Sequence, residues 1–167
     1  MQYLIDELSA EFNKKSFKST SAELTNYFAR LVSQDIKRNL AKCYVLATED
    51  KNVIGYYTLS SSAIPINVLP AKIYQKLRYN LFPVALIGRL AIDENHQGKG
   101  LGSVLLFDAI ERVKKNSLGT AAIVVTAKDD NAQQFYEHFG FRAFEEKING
   151  RTMLFYPLST VFNVLNQ

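Results

Sequence analysis

Two hydrophobic periods alternate along the chain, and their order predicts the elements. Leu24, Tyr27, Phe28 and Leu31 recur at offsets of zero, three, four and seven, the spacing of one buried helical face. Thr20 followed three residues later by Glu23 has the form of a capping box that opens this helix, and a second helical piece runs on through Ile36 and Leu40. Residues 3 to 8 read as a short first strand, followed by a polar connection with Asn13, Lys14 and Lys15. Cys43 to Thr48 and Val53 to Ser60 are rich in β-branched and aromatic residues on either side of a polar tetrapeptide, which predicts a hairpin.

Pro65 and Pro70 break the next stretch, and Ala71 to Tyr79 follows as a short basic helix ending before Pro83. A strand from Val84 to Ile92 leads into Gly98, Gly100 and Gly102. Apolar positions 101, 104, 105, 109 and 113 then mark a helix over residues 101 to 115 that packs on a sheet. Ala121 to Ala127 is short, apolar and β-rich, as a central strand requires. Asp129 starts another helix, Ala132 to Phe139, which Gly140 stops; the end is a hairpin, Phe141 to Glu146 and Arg151 to Leu158, around Asn149-Gly150, the pair a type I′ turn prefers. Alternating strands and helices closed by a hairpin give an α/β or α+β class with a mixed sheet, in one domain over residues 1–167.

Composition narrows this reading. With 167 residues, 47% of them hydrophobic, the chain can bury a core without a staple. The single Cys43 makes an internal disulfide impossible, and no Cys/His cluster has the spacing of a metal site. The longest apolar runs, such as Val104 to Phe107, fall far short of the roughly 20 residues a spanning helix needs, and Met1 to Leu8 lacks a signal pattern. A cytoplasmic protein is the expectation. The net charge of +4 lies wholly in the first 80 residues, and residues 51 to 92 hold Lys51, Lys72, Lys76, Arg78 and Arg89 without one Asp or Glu. A solvated basic face is the plain reading of such a run; a site for nucleic acid or another anion is the functional one.

The segment Gln97-Gly98-Lys99-Gly100-Leu101-Gly102, between a strand and a helix, suits a phosphate or pyrophosphate. Glycines let backbone N–H groups approach an anion, and the helix start adds partial positive charge. Two nucleotide loops fail: Ser103 stands where the dinucleotide fingerprint needs glycine, and Gly100 follows Lys99 where a P-loop needs Ser or Thr. What matches is Gln-x-x-Gly-x-Gly after Arg89-Leu90-Ala91-Ile92-Asp93, and this resembles the coenzyme A loop of the GNAT acetyltransferase superfamily. The run from Ala132 through Gln133, Gln134, Phe135, Tyr136, Glu137, His138 and Phe139 to Gly140-Phe141 resembles that family's second cofactor motif.

The resemblance implies a GNAT-like, mixed, mostly antiparallel sheet flanked by helices, and acetyl-CoA as cosubstrate with no metal. It implies that backbone groups of Leu90, Ala91 and Ile92 pair with the pantetheine arm. Gln97, Gly98, Lys99, Gly100, Leu101, Gly102 and Ser103 would form the pyrophosphate loop, with Phe135 and Tyr136 beside the thioester. Tyr136 matches the general acid that protonates the departing sulfur, and a phenol with an ordinary pKa near 10 carries its proton at neutral pH. Cys43 reads as a buried small hydrophobe, His96 as exposed and polar, and His138 as a residue that caps or packs its helix.

Gly88 with Arg89 to Asp93, Asp129-Asp130 ahead of Ala132, the aromatic Tyr56-Tyr57-Thr58-Leu59-Ser60 and Leu69-Pro70 are most similar to the toxin branch of bacterial type II toxin–antitoxin systems. That branch acetylates the amino group of aminoacyl-tRNA, and Arg78 and Arg89 are then the leading residues for tRNA phosphates. A ribbon-helix-helix antitoxin and a second copy of the chain are the implied protein partners. The chain departs from the branch before its first helix, with Phe17-Lys18-Ser19-Thr20 where a Phe-x-Cys/Ser-Gly is common. The alternatives are an N-acetyltransferase for small amines or protein amino groups and a noncatalytic acyl-CoA-binding module.

Overall fold

The computed structural model describes residues 2–167. Its seven strands are β1 (Tyr3–Glu7), β2 (Lys42–Thr48), β3 (Val53–Pro65), β4 (Leu81–Ile92), β5 (Ala122–Thr126), β6 (Arg142–Ile148) and β7 (Arg151–Pro157). Five α-helical segments join them: α1 (Ala22–Asn26), α2 (Val32–Lys37), α3 (Ala71–Tyr74), α4 (Leu101–Lys115) and α5 (Asp130–His138). The strand order is β1-β2-β3-β4-β5-β7-β6. The chain packs as two compact units, residues up to Ser60 with Ile87–Arg112, and Ser61–Leu86 with Val113–Gln167, so β3 and β4 each supply residues to both.

In the first unit β1, β2 and β3 pair antiparallel, Tyr3 opposite Thr48 and Tyr44 opposite Tyr57. One face of β2 and β3 buries Cys43, Val45, Val53 and Tyr56 against Phe17, Phe28 and Val32. Phe28 stacks on Tyr56 at 4.4 Å, and Phe17 meets both rings edge-on. Each such ring, removed from water, contributes about 1.5–3 kcal/mol. Beyond Tyr56, Tyr57 donates its hydroxyl to Asp108 of α4 at 2.6 Å, and Arg112 donates to the same carboxylate at 2.7 Å while lying over Tyr44. This polar clasp fixes α4.

The first helix differs from its predicted form in two ways. Ser21, not Thr20, is the N-cap, its hydroxyl accepting the Leu24 N–H, so Glu23 falls one position short of a capping box. Between α1 and α2 the residues Tyr27–Leu31 form a π turn. A π turn absorbs one extra residue and shifts the buried face by one. Val32 is therefore in the core, and Leu31, predicted inside, is 50% exposed.

In the second unit β4 supplies Val84–Leu86 to a parallel ladder with Ala122–Val124 of β5, and β7 pairs antiparallel with both β5 and β6. Asn149 and Gly150 have φ of 52° and 74°, as the type I′ hairpin requires. The core holds Ile73, Phe82, Val84, Val124, Phe144, Phe155 and Phe162. Three boundaries depart from the sequence reading. β3 runs on to Pro65, β4 starts at Leu81 and carries Pro83 inside it, and α3 is one turn instead of a helix to Tyr79. Pro83 is tolerated because the strand uses its carbonyl, which accepts the Ala121 N–H at 2.9 Å. The 3-10 segment Thr160–Asn166, not foreseen, buries Phe162.

Candidate functional site

In the first unit the strand end and the glycine loop form one continuous feature. Ala91 is buried, Leu90 and Ile92 are half-buried, and the chain then turns at Asp93. Asp93 is 4% exposed and organises the turn: it accepts the Lys18 N–H at 2.9 Å, the Asn95 N–H at 3.0 Å and meets His96 Nδ1 at 3.1 Å. Burial opposes ionisation, yet these bonds outweigh it and hold the carboxyl below the usual aspartate range. His96, expected to be exposed, is instead half-buried against Asp93. Gln97 is a brace, its amide donating to the Ile92 carbonyl at 3.3 Å and to Thr20 at 3.4 Å.

Gly98 and Gly100 both have φ of 74°, in the left-handed region where a side chain is strained. Gly98, Lys99 and Gly100 are exposed, Leu101 is buried, and Gly102 and Ser103 lie half-buried in the first turn of α4. Ser103 donates its hydroxyl to the Gly100 carbonyl at 2.6 Å, which ties loop to helix. Successive amides in a glycine loop, at the start of a fifteen-residue helix, match an anion such as a pyrophosphate. Gly55 of β3 is a supporting residue that sequence reading passed over. A Cβ there would lie 2.8 Å from Ile92 Cδ1 and 3.2 Å from the Ala91 carbonyl oxygen, so glycine allows β3 to come close to the strand end. An isolated glycine in a strand pattern is the signal for such an approach.

In the second unit α5 presents Phe135 and Tyr136. Asp129 caps the helix, its carboxylate accepting the Ala132 N–H at 2.8 Å. The other end is a Schellman motif: the Phe141 N–H bonds the Tyr136 carbonyl, the Gly140 N–H bonds the Glu137 carbonyl, and Gly140 has φ of 93°. The accompanying hydrophobic contact is between Tyr136 and Phe141, ring centroids 5.3 Å apart. Phe135 meets Tyr136 edge-on at 5.2 Å. Tyr136 is 9% exposed, and burial pushes its phenol up to about 12, so it holds its proton across the physiological range. His138, at the last turn of α5, is exposed and packs edge-on to Phe139.

The two basic residues singled out for nucleic acid differ in setting. Arg78 is exposed in the segment between α3 and β4. Arg89 is half-buried in β4, with its guanidinium carbon 3.5 Å from the centroid of the Tyr27 ring. Cys43 is fully buried, and burial pushes its thiol up to about 12, the state of an inert core cysteine. Among the described residues no three His, Cys, Asp or Glu side chains group as metal ligands, and no helix is long and apolar enough to cross a membrane.

Comparison with known proteins agrees with this architecture. A family model described as acetyltransferase (GNAT) domain matches residues 8–162. The tRNA-acetylating toxin of Mycobacterium tuberculosis is 36% identical over 128 residues, 75% of this chain and 76% of that protein. Among solved structures, AtaT complexed with acetyl-methionyl-tRNAfMet superposes with a TM-score of 0.85 at 26% identity, over 99% of this chain and 100% of that one. AtaTR bound with acetyl-CoA shares the fold with a TM-score of 0.77 at 24% identity, over 99% of this chain and 98% of that chain.

Proposed function

The chain belongs to the GNAT acetyltransferase family, and from that premise we propose that it transfers acetyl from acetyl-CoA to the amino group of aminoacyl-tRNA, as a translation-blocking toxin. The observation that carries the acceptor is the acid-free run of residues 51 to 92, with Arg78 exposed and Arg89 held on Tyr27. The 36% identity to a tRNA-acetylating toxin supports it. We read residues 1–167 as a single acetyltransferase domain acting in the cytoplasm, where charged tRNA is found. An antitoxin of the ribbon-helix-helix kind and a second copy of the chain are the expected protein partners.

Each residue then has a defined task. The backbone groups of Leu90, Ala91 and Ile92 hold the pantetheine arm as an added strand would be held. The loop from Gln97 to Ser103 holds the pyrophosphate through amides, which Gly98 and Gly100 can aim because they adopt positive φ. Phe135 packs beside the thioester. An α-amino group has a pKa near 8, so a substantial fraction is neutral at physiological pH and needs no protein base beyond water. As the new C–N bond forms and the C–S bond breaks, Tyr136 gives its proton to the departing sulfur. Arg78 and Arg89 contact phosphates, which makes binding fall as salt rises.

The test offers labelled acetyl-CoA with charged tRNA, uncharged tRNA, peptides and polyamines, and identifies the acetylated species by mass spectrometry. Transfer to charged tRNA alone is expected. Transfer to peptides or polyamines without charged tRNA would contradict the acceptor, and cofactor binding with no transfer would contradict catalysis.

A further inference from the structure

The π turn has a geometric consequence for Tyr27. At about 100° per residue, eight α-helical steps would leave two side chains about 80° apart around the axis, and one absorbed residue brings them within about 20°. Tyr27 and Asp35 are eight residues apart and on one face, the Tyr27 hydroxyl donating to Asp35 at 2.8 Å. Tyr27 is 3% exposed, and its ring stacks 22° from parallel with that of Tyr56, centroids 6.5 Å apart; the Tyr56 hydroxyl donates to the Leu24 carbonyl at 2.8 Å. Tyr27 is thereby fixed at its tip by Asp35 and at its body by the core.

Arg89 rests on this fixed ring, with its guanidinium carbon 3.5 Å from the centroid, and its backbone N–H donates to Thr58 Oγ1 at 3.1 Å. Stacking uses the face of a guanidinium and leaves its N–H donors in the plane, where a phosphate can be met by two of them. Among the described residues no carboxylate forms an ion pair with Arg89. We infer that Tyr27, aligned with Asp35 by the π turn, is a positioning residue that holds Arg89 as a preset phosphate fork for the tRNA acceptor. This rests on the tRNA reading above. A lysine at the same place would keep the charge but lose the planar stack, so the inference concerns geometry and not charge alone.

Steady-state kinetics with charged tRNA and acetyl-CoA varied in turn test it. Tyr27→Leu and Arg89→Lys should each raise KM for charged tRNA about threefold to tenfold and leave KM for acetyl-CoA within about twofold. The double variant should be no worse than the worse single one, because both remove the same stack. Tyr27→Phe, which keeps the ring and loses only the Asp35 bond, should fall between parent and Tyr27→Leu. If Tyr27→Leu fails to fold, Tyr27→Phe and Arg89→Lys still decide. An unchanged tRNA KM in Arg89→Lys, or a parallel rise in both KM values, would overturn the positioning role while the acceptor stands. Failure of the parent chain to acetylate charged tRNA would overturn the acceptor and the inference together.

Discussion

Tyr136 keeps its proton through burial, with no charged partner involved. Its phenol is pushed up to about 12, so the acid form is lost only as pH rises through that value. Tyr136→Phe should lower kcat by about 100-fold or more when chemistry limits the rate, and the parent pH profile should show no descending limb from this residue below about pH 11. Stopped-time assays across pH check both; parent-like turnover of the variant would remove Tyr136 as the acid. Asp93 works the other way, its carboxyl held down by the Lys18 amide, the His96 imidazole and the Asn95 amide against the penalty of burial. A depressed pKa stabilises the fold above the unfolded value near 3.9, and that stabilisation is lost as pH falls through the lower folded value. Asp93→Asn should cost about 1–3 kcal/mol at neutral pH and flatten the acid-side loss of stability, measured by thermal melts from about pH 3 to 7.

The ends of α5 show how a short helix can hold the ring proposed as the general acid. Its Schellman motif needs Gly140 at φ of 93°, and the Tyr136–Phe141 contact belongs to that motif. Gly140→Ala should cost about 1–2 kcal/mol from left-handed strain and reduce kcat more than KM for acetyl-CoA, read from melts and kinetics. Much of this element was visible beforehand. Asp129 and Gly140 punctuate α5 in sequence, as Asn149-Gly150 punctuates the last hairpin. The first helix was harder, because Leu24, Tyr27, Phe28 and Leu31 fit a uniform period of 3.6 and nothing local signals where an extra residue will be absorbed. Its consequences, Val32 inside and Leu31 outside, depend on how the sheet packs against it. The cap at Ser21 was missed for a related reason: Ser19, Thr20 and Ser21 are all able caps, and Ser19 is occupied with Ser21 N–H and Thr25. The strand β4 extended through Pro83 because only its carbonyl is needed there.

Across the molecule, chemistry and charge are distributed differently. The glycine loop, Asp93 and Arg89 lie in the first unit, and Tyr136 and Arg78 in the second. The glycines of the loop were readable because positive φ favours glycine, as Gly98 and Gly100 show, and Tyr136 was picked out because it sits in a motif. Gly55 was not singled out, and Asp93 was quoted only as a motif residue, since their structural roles arise from contacts with residues distant in sequence, Ala91 for one and Lys18 for the other. The +4 net charge alone is small, but its placement before residue 81 leaves residues 81–167 with nine basic and nine acidic side chains. Binding of charged tRNA should therefore weaken with salt through a few specific contacts, and not through a broad basic surface. The most direct measurement is digestion of charged tRNA with nuclease after incubation with labelled acetyl-CoA, followed by mass analysis of the released 3′ nucleoside. The aminoacyl nucleoside should carry one acetyl group on its amino nitrogen; an unmodified nucleoside, with label found on peptide or polyamine amines, would contradict the proposed acceptor.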